Sequence, residues 1–178
     1  MFKGKSNDAP AATSCAVMLL HEDYIVRGGY DLQKAPAWGI LVVSPSLDSF
    51  HSPELLTAVQ IQTVRESSLP DANKPNWNIR YNDLVLAAPW DDAGVAFFLK
   101  QNRDMKYPFN VEAYVGQYVV RGTMYGHVKD FSLLTLGRSV AIQNATVDGI
   151  APVSRVKSLR IPYGVLHLTR MQGIVVLS

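Results

Sequence analysis

Tyr24-Ile-Val-Arg-Gly28 returns as Tyr118-Val-Val-Arg-Gly122, and this echo decides how the 178-residue chain is read. Two further stretches return in the same order. Leu55-Leu-Thr-Ala-Val-Gln-Ile-Gln-Thr-Val64 matches Leu133-Leu-Thr-Leu-Gly-Arg-Ser-Val-Ala-Ile-Gln-Asn-Ala-Thr-Val147, with a short insertion. Ile79-Arg-Tyr-Asn-Asp-Leu-Val-Leu86 matches Leu159-Arg-Ile-Pro-Tyr-Gly-Val-Leu166. A chain that repeats itself in order is built from copies of one unit, and each copy buries a face against itself or its twin. The copies differ mainly by an insertion at Asp31 to Ser49 in the first.

Working outward from the repeat, the apolar runs are short, β-branched and bounded by Gly, Pro, Asn or Asp, the pattern of an all-β protein. Strands are expected at 16–20, 24–27, 39–43, 58–64 and 79–87 in the first copy. The second copy supplies 111–120, 123–129, 139–146, 156–168 and 174–177. In Val59-Gln-Ile-Gln-Thr-Val64 the apolar residues alternate with polar ones, so one face is buried and the other wet. Pro162 should mark an edge, a bulge or a break. Ser52 to Thr57 and Asp130 to Thr135 begin with capping residues and read as one-turn helices. Asp91-Asp-Ala-Gly-Val-Ala-Phe-Phe-Leu-Lys100, which would join the copies, fits either a linker helix or a strand, and acid at its start and base at its end favour the helix through its dipole. Residues 67 to 78 read as a loop.

The second copy resembles an uncharacterised family of small bacterial β domains. The residues that carry the likeness are Gly122, Leu133-Leu134, the alternating strand Val140 to Val147 and the final strand Leu159 to Leu166. Such domains resemble the five-stranded barrels of the SH3 and Sm type, which bind peptides, RNA or each other. The resemblance implies two tandem SH3/Sm-like β-barrels with short one-turn helices. The units are then an N-terminal arm (1–15), a first barrel (16–90), a linker (91–110) and a second barrel (111–178). An arm without a core of its own is expected to be held by a neighbouring subunit.

Hydrophobic residues make up 48% of the chain and charged ones 18%, below the roughly 25% charge usual for soluble domains, so some apolar surface is expected to meet a partner. No apolar run approaches the roughly 18 residues of a membrane span. A single cysteine forms no internal disulfide, which points to a cytoplasmic address. The net charge of +2 conceals a division. Residues 1–94 hold 7 Lys+Arg against 11 Asp+Glu, net −4, while residues 95–178 hold 10 against 4, net +6. Oppositely charged halves favour attraction between one molecule and the next, or between the basic half and a polyanion.

The search for chemistry excludes more than it finds. His21, His51, His127 and His167 lack metal-ligand spacing, so no metal or other cofactor is expected. Neither a phosphate-cradling glycine loop nor a nucleophile elbow occurs, and Ser154-Arg-Val-Lys157 is too short a pattern to define a catalytic pair. Cys15 reads as a small buried hydrophobe. The repeated Tyr24, Arg27, Gly28 and Tyr118, Arg121, Gly122 read as structural positions, the glycine permitting a positive φ or a bulge and the arginine stem packing on its tyrosine. Arg138, Arg155, Lys157, Arg160 and Arg170 form a basic cluster, with Tyr163 and His167 nearby as stacking rings, and would bind a polyanion. The leading expectation is a non-enzymatic subunit that associates with itself or with other proteins through β edges. The alternative is an Sm-like binder of single-stranded RNA or other nucleic acid.

Overall fold

The computed structural model describes residues 13–33, 55–64, 71–78, 84–101, 106–126, 129, 139–149 and 157–177. The fold is all-β. Its strands are β1 (Ser14–His21), β2 (Tyr24–Asp31), β3 (Leu55–Thr63), β4 (Ala72–Asn78) and β5 (Leu84–Pro89). After helix α1 (Asp92–Gln101) come β6 (Tyr107–Val115), β7 (Tyr118–Gly126), β8 (Ser139–Gly149), β9 (Leu159–His167) and β10 (Met171–Val176). They form one antiparallel sheet in the order β10-β6-β7-β8-β9-β5-β1-β2-β3-β4. The first five strands are thus ordered β5-β1-β2-β3-β4 and the last five β10-β6-β7-β8-β9, the same arrangement twice.

The registers repeat in detail. Arg27 pairs with Met18 and Gln60, and Arg121 with Glu112 and Thr146. Beyond each arginine the ladder slips: Gly29 pairs with Thr57, and Thr123 with Gln143, so one extra residue is inserted on the third strand of each half. Inside each slip sits a residue in the left-handed region, Ala58 (φ 50°) and Asn144 (φ 50°). On the other side of each lies a proline. The β3–β4 ladder runs from Thr57↔Asn76 to Val59↔Lys74, stepping over Ala58 and Pro75. The β8–β9 ladder runs from Gln143↔Tyr163 to Ala145↔Ile161, stepping over Asn144 and Pro162. Proline has no N–H to donate, and at this position none is needed. The fifth strands share a bulge as well, between Leu20↔Leu86 and His21↔Leu84 and between Tyr114↔Gly173 and Val115↔Met171.

These registers revise the equivalences that the sequence suggests. Ala58 corresponds to Asn144, so Leu55-Leu56 corresponds to the start of β8 and not to Leu133-Leu134, which lie outside the described residues. Pro75 corresponds to Pro162, so β9 is the counterpart of β4. Leu86 and Leu166, matched in sequence, are instead direct cross-strand neighbours.

Alternation along β1 distributes its side chains to two cores, because successive residues of a strand point to opposite faces. Val17 and Leu19 join a cluster with Val26, Tyr30, Leu56, Leu84 and Ala87 of the first half, Phe98 of α1, and Ala141, Tyr163 and Val165 of the second half. Met18 and Leu20 join the other cluster with Leu86, Ala88, Val111, Val120, Val140, Ile142 and Leu166. Both clusters therefore draw on both halves. β5, buried at every position, lies between β1 and β9 where both cores meet it.

Elsewhere the local expectations are met in part. The helix expected at 91–100 forms, and Asp91 caps it. Asp91 Oδ1 accepts from Gly94 N–H (2.8 Å) while Oδ2 accepts from Ala16 N–H (2.7 Å), which ties the helix start to β1. The run 111–120 is two strands, turned at Gly116 (φ 58°) and Gln117. Residues 55–57 are strand and not part of a one-turn helix. The loop read at 67–78 contains β4, an edge strand whose Pro75 and Lys74 suit an edge. The expected strand at 39–43 and the turn at 130–135 lie outside the described residues, as do residues 1–12. β1 begins at Ser14, within the stretch read as an arm.

Candidate assembly edges

Among the described residues the sheet's outermost strands are β10 and β4, and one internal joint links its halves, β9 against β5. The joint is short in backbone terms, Leu86↔Leu166 and Ala87↔Val165. Its side chains are all buried, with Leu86 and Leu166 in one cluster and Ala87 and Val165 in the other. Burying a leucine is worth about 1.5–3 kcal/mol, so this joint is strong for its length.

A second contact braces the joint. The turn between β1 and β2 reaches the second half: the Gln117 side-chain amide donates to the Glu22 carbonyl, and the buried Tyr118 hydroxyl lies 3.1 Å from the same oxygen. Arg170 forms an ion pair with the Glu22 carboxylate at 3.3 Å. Tyr118 is thus a pillar between halves. Tyr24, its sequence counterpart, is only half-buried and stacks on His21 with ring centroids 4.5 Å apart.

The β10 edge is apolar and bare. Val175 is 49% exposed, Val176 44% and Leu177 45%, and a side chain built at Gly173 would meet nothing within 4 Å. The described part of the β4 edge is polar: Asn73, Lys74 and Pro75 are exposed. No helix among the described residues is long and apolar enough to cross a membrane, nor do three His, Cys, Asp or Glu side chains gather there as a metal site would require.

Comparison with protein families, curated proteins and solved structures finds no match to this chain.

The two Arg-Gly pairs hold local structure. Arg27 donates to Gln62 Oε1 (3.1 Å) and lies 5.1 Å above the Trp90 ring. Arg121 takes the same diagonal reach to Asp148 (2.7 Å) and adds Glu112 (2.6 Å). Neither arginine is shown on its own tyrosine. Hydrogen bonds from Tyr114, first, and then Arg121 hold the Glu112 carboxyl below its ordinary range, and the Tyr114 phenol is raised in turn. Gly28 and Gly122 serve close approach: an added Cβ would lie 2.9 Å from Thr57 O and 2.9 Å from Ile142 Cγ1 respectively.

Three members of the basic cluster, Lys157, Arg160 and Arg170, are among the described residues. Lys157 and Arg160 are exposed on the approach to and start of β9, and Arg170 is engaged with Glu22. Arg138 and Arg155 lie outside the described residues. Tyr163 and His167, read as stacking rings, are buried at 0% and 2% exposure. They face the core because β9 is an interior strand, so neither can stack on a base. Cys15 is buried beside α1, and burial, with Asp91 nearby, pushes its thiol up to about 12. It stays protonated near neutrality.

Proposed function

We propose that this protein is a non-enzymatic assembly subunit: two small barrels of the SH3/Sm type in tandem, joining further subunits through sheet edges. One observation carries the reading. The β9–β5 joint pairs the fourth strand of one half with the fifth of the other, and among the described residues one strand of each kind, β4 and β10, is paired on one side only. An uncovered apolar edge is a template for another strand. The opposite charge of the halves, −4 and +6, favours unlike ends meeting.

Light scattering on the eluting protein tests this. An assembly is expected whose mass falls as salt rises, since screening shortens the reach of charge from about 10 Å at 0.1 M to 3 Å at 1 M. A monomer at every salt and protein concentration rejects it. RNA binding by the exposed Lys157 and Arg160 is the competing reading, and its stacking rings are missing. Under the assembly reading the wild-type protein retains no single-stranded RNA on a filter, whereas retention that is lost on reversing both charges to Glu would favour the competing reading.

A further inference from the structure

We propose that the β10 edge pairs with the β10 edge of a second copy of this chain, antiparallel across a two-fold axis at Val175. This rests on the assembly reading and names one contact within it. The ladder between β10 and β6 alternates, as antiparallel ladders do. The Leu177 N–H donates to Asn110 O (2.7 Å), so Leu177, Val175 and Gly173 turn their backbone groups toward β6. Ile174 and Val176 turn theirs to the outer side, where β10 has no neighbour among the described strands. An axis at Val175 sets Ile174 of each copy opposite Val176 of the other, and each such pair exchanges both of its N–H···O bonds. Val175 then faces its own counterpart, and Leu177 faces Gly173.

The side chains favour a second copy as the occupant. Gly173, Val175 and Leu177 share one face of the strand. The open space at Gly173, where an added side chain would meet nothing within 4 Å, takes the exposed Leu177 of the other copy, and the exchange is reciprocal. A strand that carries both the projection and the space it fills is self-complementary, as a two-fold interface requires. Residues 171–177 hold no charge and no proline, the devices that keep natural edges apart. On the face of Val175 the adjoining charge is Glu112, already held by Arg121, so two basic halves meet without a loose charge at the contact. Such a contact closes on itself and stops at two chains. The opposite charges of the halves then act between dimers, and salt separates the two contacts. At roughly 1 M salt the charged one is screened while the apolar one remains, so the mass should settle at two chains.

Two single substitutions at exposed positions, Val175→Cys and Val176→Cys, each checked for native circular dichroism, test the register. On the axis the two Val175 Cα atoms lie about 4.5 Å apart, within disulfide reach. The two Val176 Cα atoms are offset along the strands to about 8 Å, beyond the roughly 7 Å limit. The native Cys15 is buried and protonated, so it adds no cross-link of its own. Under a mild oxidant Val175→Cys should give disulfide-linked dimers and Val176→Cys should not. Equal cross-linking of both would mean random collision or another register and would overturn the proposal. No cross-link from either, or a high-salt mass of one chain, while the wild type still assembles at low salt, would overturn it and leave the assembly reading standing. A wild-type monomer at every salt and protein concentration would end both.

Discussion

A methyl group added at Gly122 would lie 2.9 Å from Ile142 Cγ1 and 3.0 Å from both Ala145 Cα and Gln143 O, and two of those atoms are backbone that cannot swing aside. Gly122→Ala should therefore cost about 1–3 kcal/mol in urea denaturation, the usual penalty of overpacking. Gly173→Ala, with open space around it, should stay within about 0.5 kcal/mol and serves as the control. Across the ladder, Ala58 holds a left-handed backbone that costs an ordinary side chain roughly 1–2 kcal/mol. Asn tolerates that region and stands at the corresponding position 144, so Ala58→Asn should stabilise the protein by about 0.5–1 kcal/mol by the same measurement. Glu112 gives a pH dependence of known sign. Its folded pKa lies below the ordinary 4.5, so its contribution is complete above that pH and is lost as pH falls through the lower folded value. The acid-unfolding midpoint of Glu112→Gln should accordingly show less dependence on pH below 4.5 than that of the wild type. An identical dependence would mean that the Arg121 clamp adds nothing. The Arg-Gly echo pointed to these places from sequence, but the positive φ and the extra residue lie across the ladder, at Ala58 and Asn144 on the strand facing the glycine. Pairing partners in a ladder are set by register, which local sequence does not encode.

Helix α1 was legible because its signals are local: an acidic cap, a basic end and no β-branched run. Asp91 does more than the cap requires, since its second oxygen holds β1 at Ala16, a residue distant in sequence. Asp91→Ala should destabilise by about 1–2 kcal/mol in urea denaturation, at the upper end for a cap because two N–H groups lose their acceptor. A cost near zero would show that the β1 contact is replaced by water. β4 was not legible. Ala72-Asn-Lys-Pro-Asn-Trp-Asn78 lacks alternation and is rich in residues depleted from strands. It is a strand because β3 offers it a ladder with a gap where its proline falls. The sequence match of 84–86 with 164–166 misled for a related reason: both stretches are apolar because they face each other across the joint, not because they occupy one place in two copies. The burial of Tyr163 was not legible either, since nearness in sequence to Arg160 says nothing about the face on which Tyr163 points.

At the scale of the molecule, duplication has produced two copies of a strand order without two independent interiors. Period-two alternation along β1 sends Met18 and Leu20 into a cluster with Val111 and Val140, and β5 is enclosed on both faces between β1 and β9. Neither half can unfold without exposing apolar surface of the other. The Glu22 carbonyl, held by Gln117 and Tyr118, adds polar groups that would have to be rehydrated on separation. One cooperative transition is therefore expected in urea, with tryptophan fluorescence, whose three reporters all lie in the first half, and far-ultraviolet circular dichroism, which reads both halves, giving coincident midpoints. Leu166→Ala, which empties the joint itself, should shift that single transition by about 2–5 kcal/mol without splitting it. Two resolved transitions in the wild type would show that each half is stable alone, and the shared clusters would then be a seam between independent units. The joint between the halves, covalently tethered and apolar, should survive high salt, whereas an assembly held by the opposite charges of the halves should not.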